Sequence, residues 1–161
     1  MARVFLGLGS NEGDRLANLS RAAQLLGGTP GIRVSRMATI YETRPIGGPP
    51  QDDYLNTVVE IETTLSPREL LTVLKTLERQ LGRVPSAKRW GPRVIDLDLL
   101  LYDDRVMREP HLVIPHPHMQ ARRFVLEPLA QLAPDVVHPV LRRTIAELLG
   151  AACASSAKPA R

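Results

Sequence analysis

Twice in this chain a helix with a one-sided apolar stripe is set between strand-like runs, and that order restricts the folds open to it. Val4 to Leu8 reads as a buried strand. Asp14 then caps a helix whose Leu16, Leu19, Ala23 and Leu26 recur at helical spacing, and Gly27-Gly28 ends it. Val34 to Tyr41 and Tyr54 to Thr63 read as strands, the second alternating through Leu55, Val59 and Ile61. Ser66-Pro67-Arg68-Glu69 is a capping box with proline at the first helical position; behind it Leu70, Leu74, Leu77 and Leu81 share one stripe up to Gly82. A last strand runs through Leu101. The order β-α-β-β-α-β is the split arrangement of ferredoxin-like α+β domains and predicts an antiparallel sheet with both helices packed on one face. The C-terminal third is expected to add an extension of short elements: a turn around Ile114-Pro115-His116-Pro117 and short helices near 127–133 and 144–150. Residues 1–150 are read as a single domain and 151–161, rich in Ala and Ser, as a disordered tail.

Composition narrows the function classes. One cysteine, Cys153, excludes an intrachain disulfide and a cysteine zinc cage. Apolar stretches break well before the ~20 residues of a membrane span, and no signal-peptide pattern opens the chain, so a cytoplasmic protein without a membrane partner is expected. A net charge of +4 invites a nucleic-acid reading. The bases are dispersed, however, except for Arg83, Lys88, Arg89 and Arg93, and aromatics make up only 4% of the chain. A compact anionic ligand fits better than a nucleic acid.

That basic segment runs into Val94-Ile95-Asp96-Leu97-Asp98. On a strand Asp96 and Asp98 share a face, roughly 6–7 Å apart at Cα. One reading makes them the solvated face of an edge strand, opposite the apolar Ile95, Leu97, Leu99 and Leu101. The other uses Val94 and Leu100, which lie on the aspartates' own face, to argue a partly covered cleft holding Mg²⁺. Arginines beside such a pair supply the second half of a phosphoryl-transfer site. Other signals are weak: Gly7-Leu8-Gly9 lacks the Rossmann spacing and reads as tight-turn residues. His116-Pro117-His118 lacks an evident third metal ligand; His116 is as open to phosphate contact as to simple exposure. Thr43-Arg44-Pro45-Ile46-Gly47-Gly48-Pro49-Pro50 is a proline-stiffened loop of the length that often carries function.

Leu8-Gly9-Ser10-Asn11, Tyr41-Glu42-Thr43, Asp53-Tyr54-Leu55-Asn56, Gly82-Arg83-Val84, Arg89-Trp90-Gly91-Pro92-Arg93-Val94-Ile95-Asp96-Leu97-Asp98 and Ile114-Pro115-His116-Pro117 together resemble one family in order and spacing. It is the 6-hydroxymethyl-7,8-dihydropterin pyrophosphokinase family of folate biosynthesis, and the resemblance covers about residues 3–150. The resemblance implies a ferredoxin-like fold and transfer of a diphosphate from MgATP to the pterin's hydroxymethyl group, with release of AMP. It implies two Mg²⁺ ions bridged by Asp96 and Asp98, and Arg83 and Arg93 neutralising the transferred group. Glu78, Arg89, Trp90, Arg93, His116 and Arg122 would serve ATP. Thr43, Pro45, Ile46, Tyr54 and Asn56 would wall the pterin, with Trp90 and Phe124 stacking on it. A monomer is expected. Pro85, Arg44 and His118 depart from the family's usual residues, and no general base is evident.

Overall fold

The structure, a computed structural model, describes residues 1–44, 50–82, 93–152 and 158–159. In chain order the elements are β1 (Ala2–Ser10), α1 (Arg15–Gly27), β2 (Ile32–Met37), β3 (Tyr41–Thr43), β4 (Tyr54–Thr63), α2 (Pro67–Gln80), β5 (Asp96–Tyr102), β6 (Met107–Glu109), β7 (Leu112–Ile114), α3 (Arg123–Leu132), α4 (Ile145–Ala151) and β8 (Lys158–Pro159). The main sheet is antiparallel throughout, with β5, β1 and β4 side by side. The far edge of β4 is shared: β2 pairs with its C-terminal half and β3 with its N-terminal half. β6 and β7 form a separate hairpin.

α1 and α2 cover one face of this sheet. Val4, Leu6 and Leu8 of β1 pack there with Leu19, Leu26, Leu70, Leu74 and Leu97. The capping box of Ser66 and Glu69 is formed as read, and Asp14 accepts from the Ala17 N–H at the start of α1; such caps are worth about 1 kcal/mol each. The C-terminal third forms the layer on the opposite face, where Leu126, Leu129, Ile145 and Leu148 meet Phe5, Val58, Leu100 and Leu101. β4 is therefore buried on both faces over most of its length, not alternating between core and water.

Several expectations need correcting. Leu16 is exposed, and the buried stripe of α1 is Leu19, Ala22 and Leu26, the residues of its middle and last turns that face the sheet core. The single strand expected over Val34 to Tyr41 is two strands. Between them Ala38 is pinned by its N–H to the Val58 carbonyl and by its carbonyl to the Thr57 hydroxyl, while Thr39 N–H reaches Gln131 of α3. Leu101 does not share the face of Ile95, Leu97 and Leu99: the β1–β5 register shifts between Phe5 and Leu6, and this bulge sends Leu100 and Leu101 both to the α3 side. The helix expected near 127–133 starts at Arg123 and takes Pro128 into its interior. Of the residues read as a tail, Ala151 ends α4 and Lys158–Pro159 pair with Tyr41 and Glu42. No described helix is long and apolar enough to cross a membrane.

Candidate active site

The register of three neighbouring strands builds the floor of a cleft. Asp96 on β5 lies opposite Gly9 on β1, and Gly9 lies opposite Asn56 on β4. Cross-strand partners share a face, so carboxylate, bare backbone and carboxamide stand in one row, with about 10 Å between the outer Cα atoms. The next row holds Asp98 opposite Gly7. Gly7 and Gly9 thus sit inside β1, not in a tight turn, and they clear a trough between the acids and the amide. At Gly9 the requirement is steric: a Cβ there would stand 2.9 Å from Asn56 Oδ1 and 3.5 Å from Tyr54 Cδ1.

Walls rise from this floor to enclose a cleft of about 320 Å³. On the β4 side, Asn56 donates to the Thr43 hydroxyl at 2.6 Å, and both residues are buried. That bond spends one N–H of the amide and leaves its other N–H and Oδ1 for a ligand. Tyr54 and Phe124 line the same end, Phe124 from the first turn of α3 with the Arg122 guanidinium 5.8 Å from its ring centre. At the β5 end, Asp96 is 27% exposed and Asp98 is exposed, so their face is open cleft wall. Among the described strands β5 lies at the edge, as the plainer reading supposed, yet the acids face a concavity and not bulk surface.

Among the described residues, four basic side chains, Arg44, Lys75, Arg93 and Arg122, line the cleft against two carboxylates. Arg93 is held with its Nε 4.0 Å from Asp96, while its Nη1 is buried with no hydrogen-bond partner among the described residues. An orphaned guanidinium donor at a cleft is suited to an anion. His116 also lines the cleft. Its Nδ1 accepts the His118 N–H at 3.2 Å, which assigns the remaining proton to Nε2. Burial, then the nearby Arg122 and His118, push its pKa down to about 4, so the ring is a neutral donor.

Asn11 ties the two ends together. It is buried, donates to Gln51 and to the Asp52 carbonyl, and accepts the Arg93 N–H at 2.8 Å, while its own N–H bonds the Arg93 carbonyl. Asn18 reinforces this from α1 through Ser10, Glu12 and Val94.

Of the residues singled out from sequence, Thr43, Tyr54, Asn56, Arg93, Asp96, Asp98, His116, Arg122 and Phe124 come together here. Glu78 does not line the cleft; it is buried behind β5. Pro45, Ile46, Arg83, Arg89 and Trp90 lie outside the described residues, as does Pro85. Sequence reasoning missed Lys75 and the tethering role of Asn11. Lys75 had a signal, since it flanks the leucine stripe of α2 three residues before Glu78; Asn11 had one in the Leu8-Gly9-Ser10-Asn11 motif, which gave it no role.

A family model described as 7,8-dihydro-6-hydroxymethylpterin-pyrophosphokinase matches residues 5–134. A Methylorubrum extorquens protein named 2-amino-4-hydroxy-6-hydroxymethyldihydropteridine pyrophosphokinase is 49% identical over 137 residues, 85% of this chain and 86% of its own. A Synechocystis protein of the same name is 46% identical over 146 residues, covering 91% of this chain and 74% of its own. Among solved structures, a Plasmodium falciparum HPPK-DHPS with pteroate superposes with a TM-score of 0.74 over 93% of this chain. This chain spans only 42% of that one, and at 16% identity the likeness speaks for the fold alone.

Proposed function

This chain belongs to the 7,8-dihydro-6-hydroxymethylpterin pyrophosphokinase family, and from that premise we propose how its own residues divide the work. The enzyme transfers a diphosphate from ATP to the hydroxymethyl group of 6-hydroxymethyl-7,8-dihydropterin in folate synthesis, releasing AMP. The observation that carries the assignment of roles is the row Asp96–Gly9–Asn56. It separates a phosphate end from a heterocycle end by about the width of two strand spacings.

At the heterocycle end, Asn56 presents both an acceptor and a donor, matching the mixed edge of a pterin, and Thr43 fixes which is which. Phe124 supplies a stacking face worth about 0.5–1.5 kcal/mol beyond area burial. Trp90, Pro45 and Ile46 complete this wall in the proposal. At the phosphate end, Arg93, Arg122 and neutral His116 donate to the polyphosphate, joined by Arg83 and Arg89. The unpartnered Nη1 of Arg93 supports that role. Positioning of the hydroxymethyl oxygen in line with the β-phosphorus, with charge neutralisation, does most of the catalysis, and no covalent enzyme intermediate forms.

Two carboxylates fit Mg²⁺ only in part. Among the described residues no group of three His, Cys, Asp or Glu side chains could hold a metal. Asp96 and Asp98 therefore suit a hard cation that completes its octahedron with water and substrate phosphates. Bound there as two ions, Mg²⁺ would supply charge stabilisation to the attacking and leaving oxygens. The antiparallel β5-β1-β4-β2 order supports reading the core as ferredoxin-like, and the two cores on one shared sheet support residues 1–150 as one domain. A cytoplasmic monomer without a nucleic-acid partner completes the proposal.

The test resolves the nucleotides after incubation with ATP, Mg²⁺ and hydroxymethyl-dihydropterin. Pterin-dependent AMP is expected; ADP, or no turnover, overturns the reading. Asp96→Asn and Asp98→Asn are each expected to lose about a hundredfold or more in kcat with pterin affinity retained.

A further inference from the structure

We propose that Glu78 is a positioning residue that sets the geometry of the Asp96–Asp98 pair from behind the strand. The inference rests on the metal-binding role given to those aspartates above. Among the described residues β5 is the outermost strand on its side of the sheet and pairs with β1 alone, so backbone groups on its outer edge have no described strand to bond. Leu97 lies between the two aspartates, and its N–H is taken by Glu78 Oε2 at 2.9 Å. The carboxylate substitutes for a neighbouring strand at the one residue that both acids flank.

The surroundings make this bond specific. Glu78 is only 3% exposed, and a buried carboxylate is tolerated when it is hydrogen-bonded and paired. Leu97 meets the first need, and Lys75, one turn earlier on α2 with Nζ 3.5 Å from Oε1, meets the second. The Leu97 side chain is itself buried at 2% in the α1–α2 core. Leu97 is thus held by its side chain, by β1 and by Glu78. Asp96 and Asp98, projecting the other way into the cleft, take their spacing from it. Glu78 then fixes the acids without itself lining the cleft.

Reach and charge are separable by substitution. Glu78→Gln keeps an acceptor at the same reach and loses the charge. Glu78→Asp keeps the charge and falls one methylene short of Leu97. A positioning role predicts that Glu78→Asp raises the Mg²⁺ concentration for half-maximal turnover about tenfold, with the KM for pterin within twofold. Glu78→Gln then shifts it about threefold or less. In the free protein, amide exchange at Leu97 should accelerate at least tenfold in Glu78→Asp and much less in Glu78→Gln. The reverse ranking, or unchanged Leu97 exchange in Glu78→Asp, overturns the proposal in favour of direct electrostatic action. Asp96→Asn assayed in parallel separates the two premises. If it leaves the Mg²⁺ requirement unmoved, the metal role itself fails. If it moves the requirement and Glu78→Asp does not, only the positioning role fails.

Discussion

Gly9 shows how a single missing atom selects a ligand. Its Cα faces Asn56 across the β1–β4 ladder, and Asn56 Oδ1 occupies the space a Cβ would need. Alanine there must displace the carboxamide, breaking its 2.6 Å bond to Thr43 or tilting it into the cleft. The strand itself tolerates the change, since Gly9 is in extended pairing with partners on both sides. Gly9→Ala is therefore expected to weaken pterin binding about tenfold, near 1.4 kcal/mol, and to leave the affinity for a nucleotide alone within twofold. Calorimetric titration of each ligand measures this, and equal weakening of both would contradict it. Gly7→Ala is the control, because its Cβ would meet Leu100 only at ordinary contact, 3.6 Å.

Between elements, the cleft depends on tethers that no periodic pattern announces. Asn11 joins the end of β1 to the segment before β4 and to Arg93 before β5, using its backbone and both ends of its carboxamide. Asn11→Ala leaves the Arg93 N–H and the Asp52 carbonyl without this partner. That should cost about 1–3 kcal/mol of stability, read as a lower denaturant midpoint at unchanged slope. It should also raise KM for both substrates together, because both ends of the cleft share the tether. What the sequence made legible follows the same division. Helices α1 and α2, strand β4 and the aspartate run were readable because caps and apolar periods are local. The bulge at Leu100 was not, because it arises from β1–β5 register, and the burial of both faces of β4 was not, because the covering α3 comes from sixty residues further along. Site residues were legible as types in a motif, whereas the inward placement of Glu78 and the trough of Gly7 and Gly9 came only with pairing.

At the scale of the whole molecule, stability should respond to acid in two separable stages. His138 is 4% exposed, and burial holds its pKa below the ordinary 6.5; its Nδ1 accepts the N–H groups of Val140 and Leu141, which requires the neutral ring. His116 is pushed further, to about 4. Both histidines bind a proton more readily in the unfolded chain. The stability they contribute is whole above 6.5 and drains as pH falls through the folded values, by on the order of 1–3 kcal/mol for His116. Glu60 acts lower down. Burial raises its pKa, but hydrogen bonds and charge from Arg3 and Arg36 outweigh this and hold it below 4.5. Its contribution is present above 4.5 and is lost as pH drops beneath. Melting curves should therefore be flat above pH 6.5 and fall by about 3–10 °C on the way to 4.5. In the double variant His116→Asn/His138→Asn, the asparagine at 138 still offers an acceptor, so the decline between 6.5 and about 4 should flatten, while the loss that Glu60 adds below 4.5 stays. A first decline unchanged in the double variant would assign it to groups other than these two histidines.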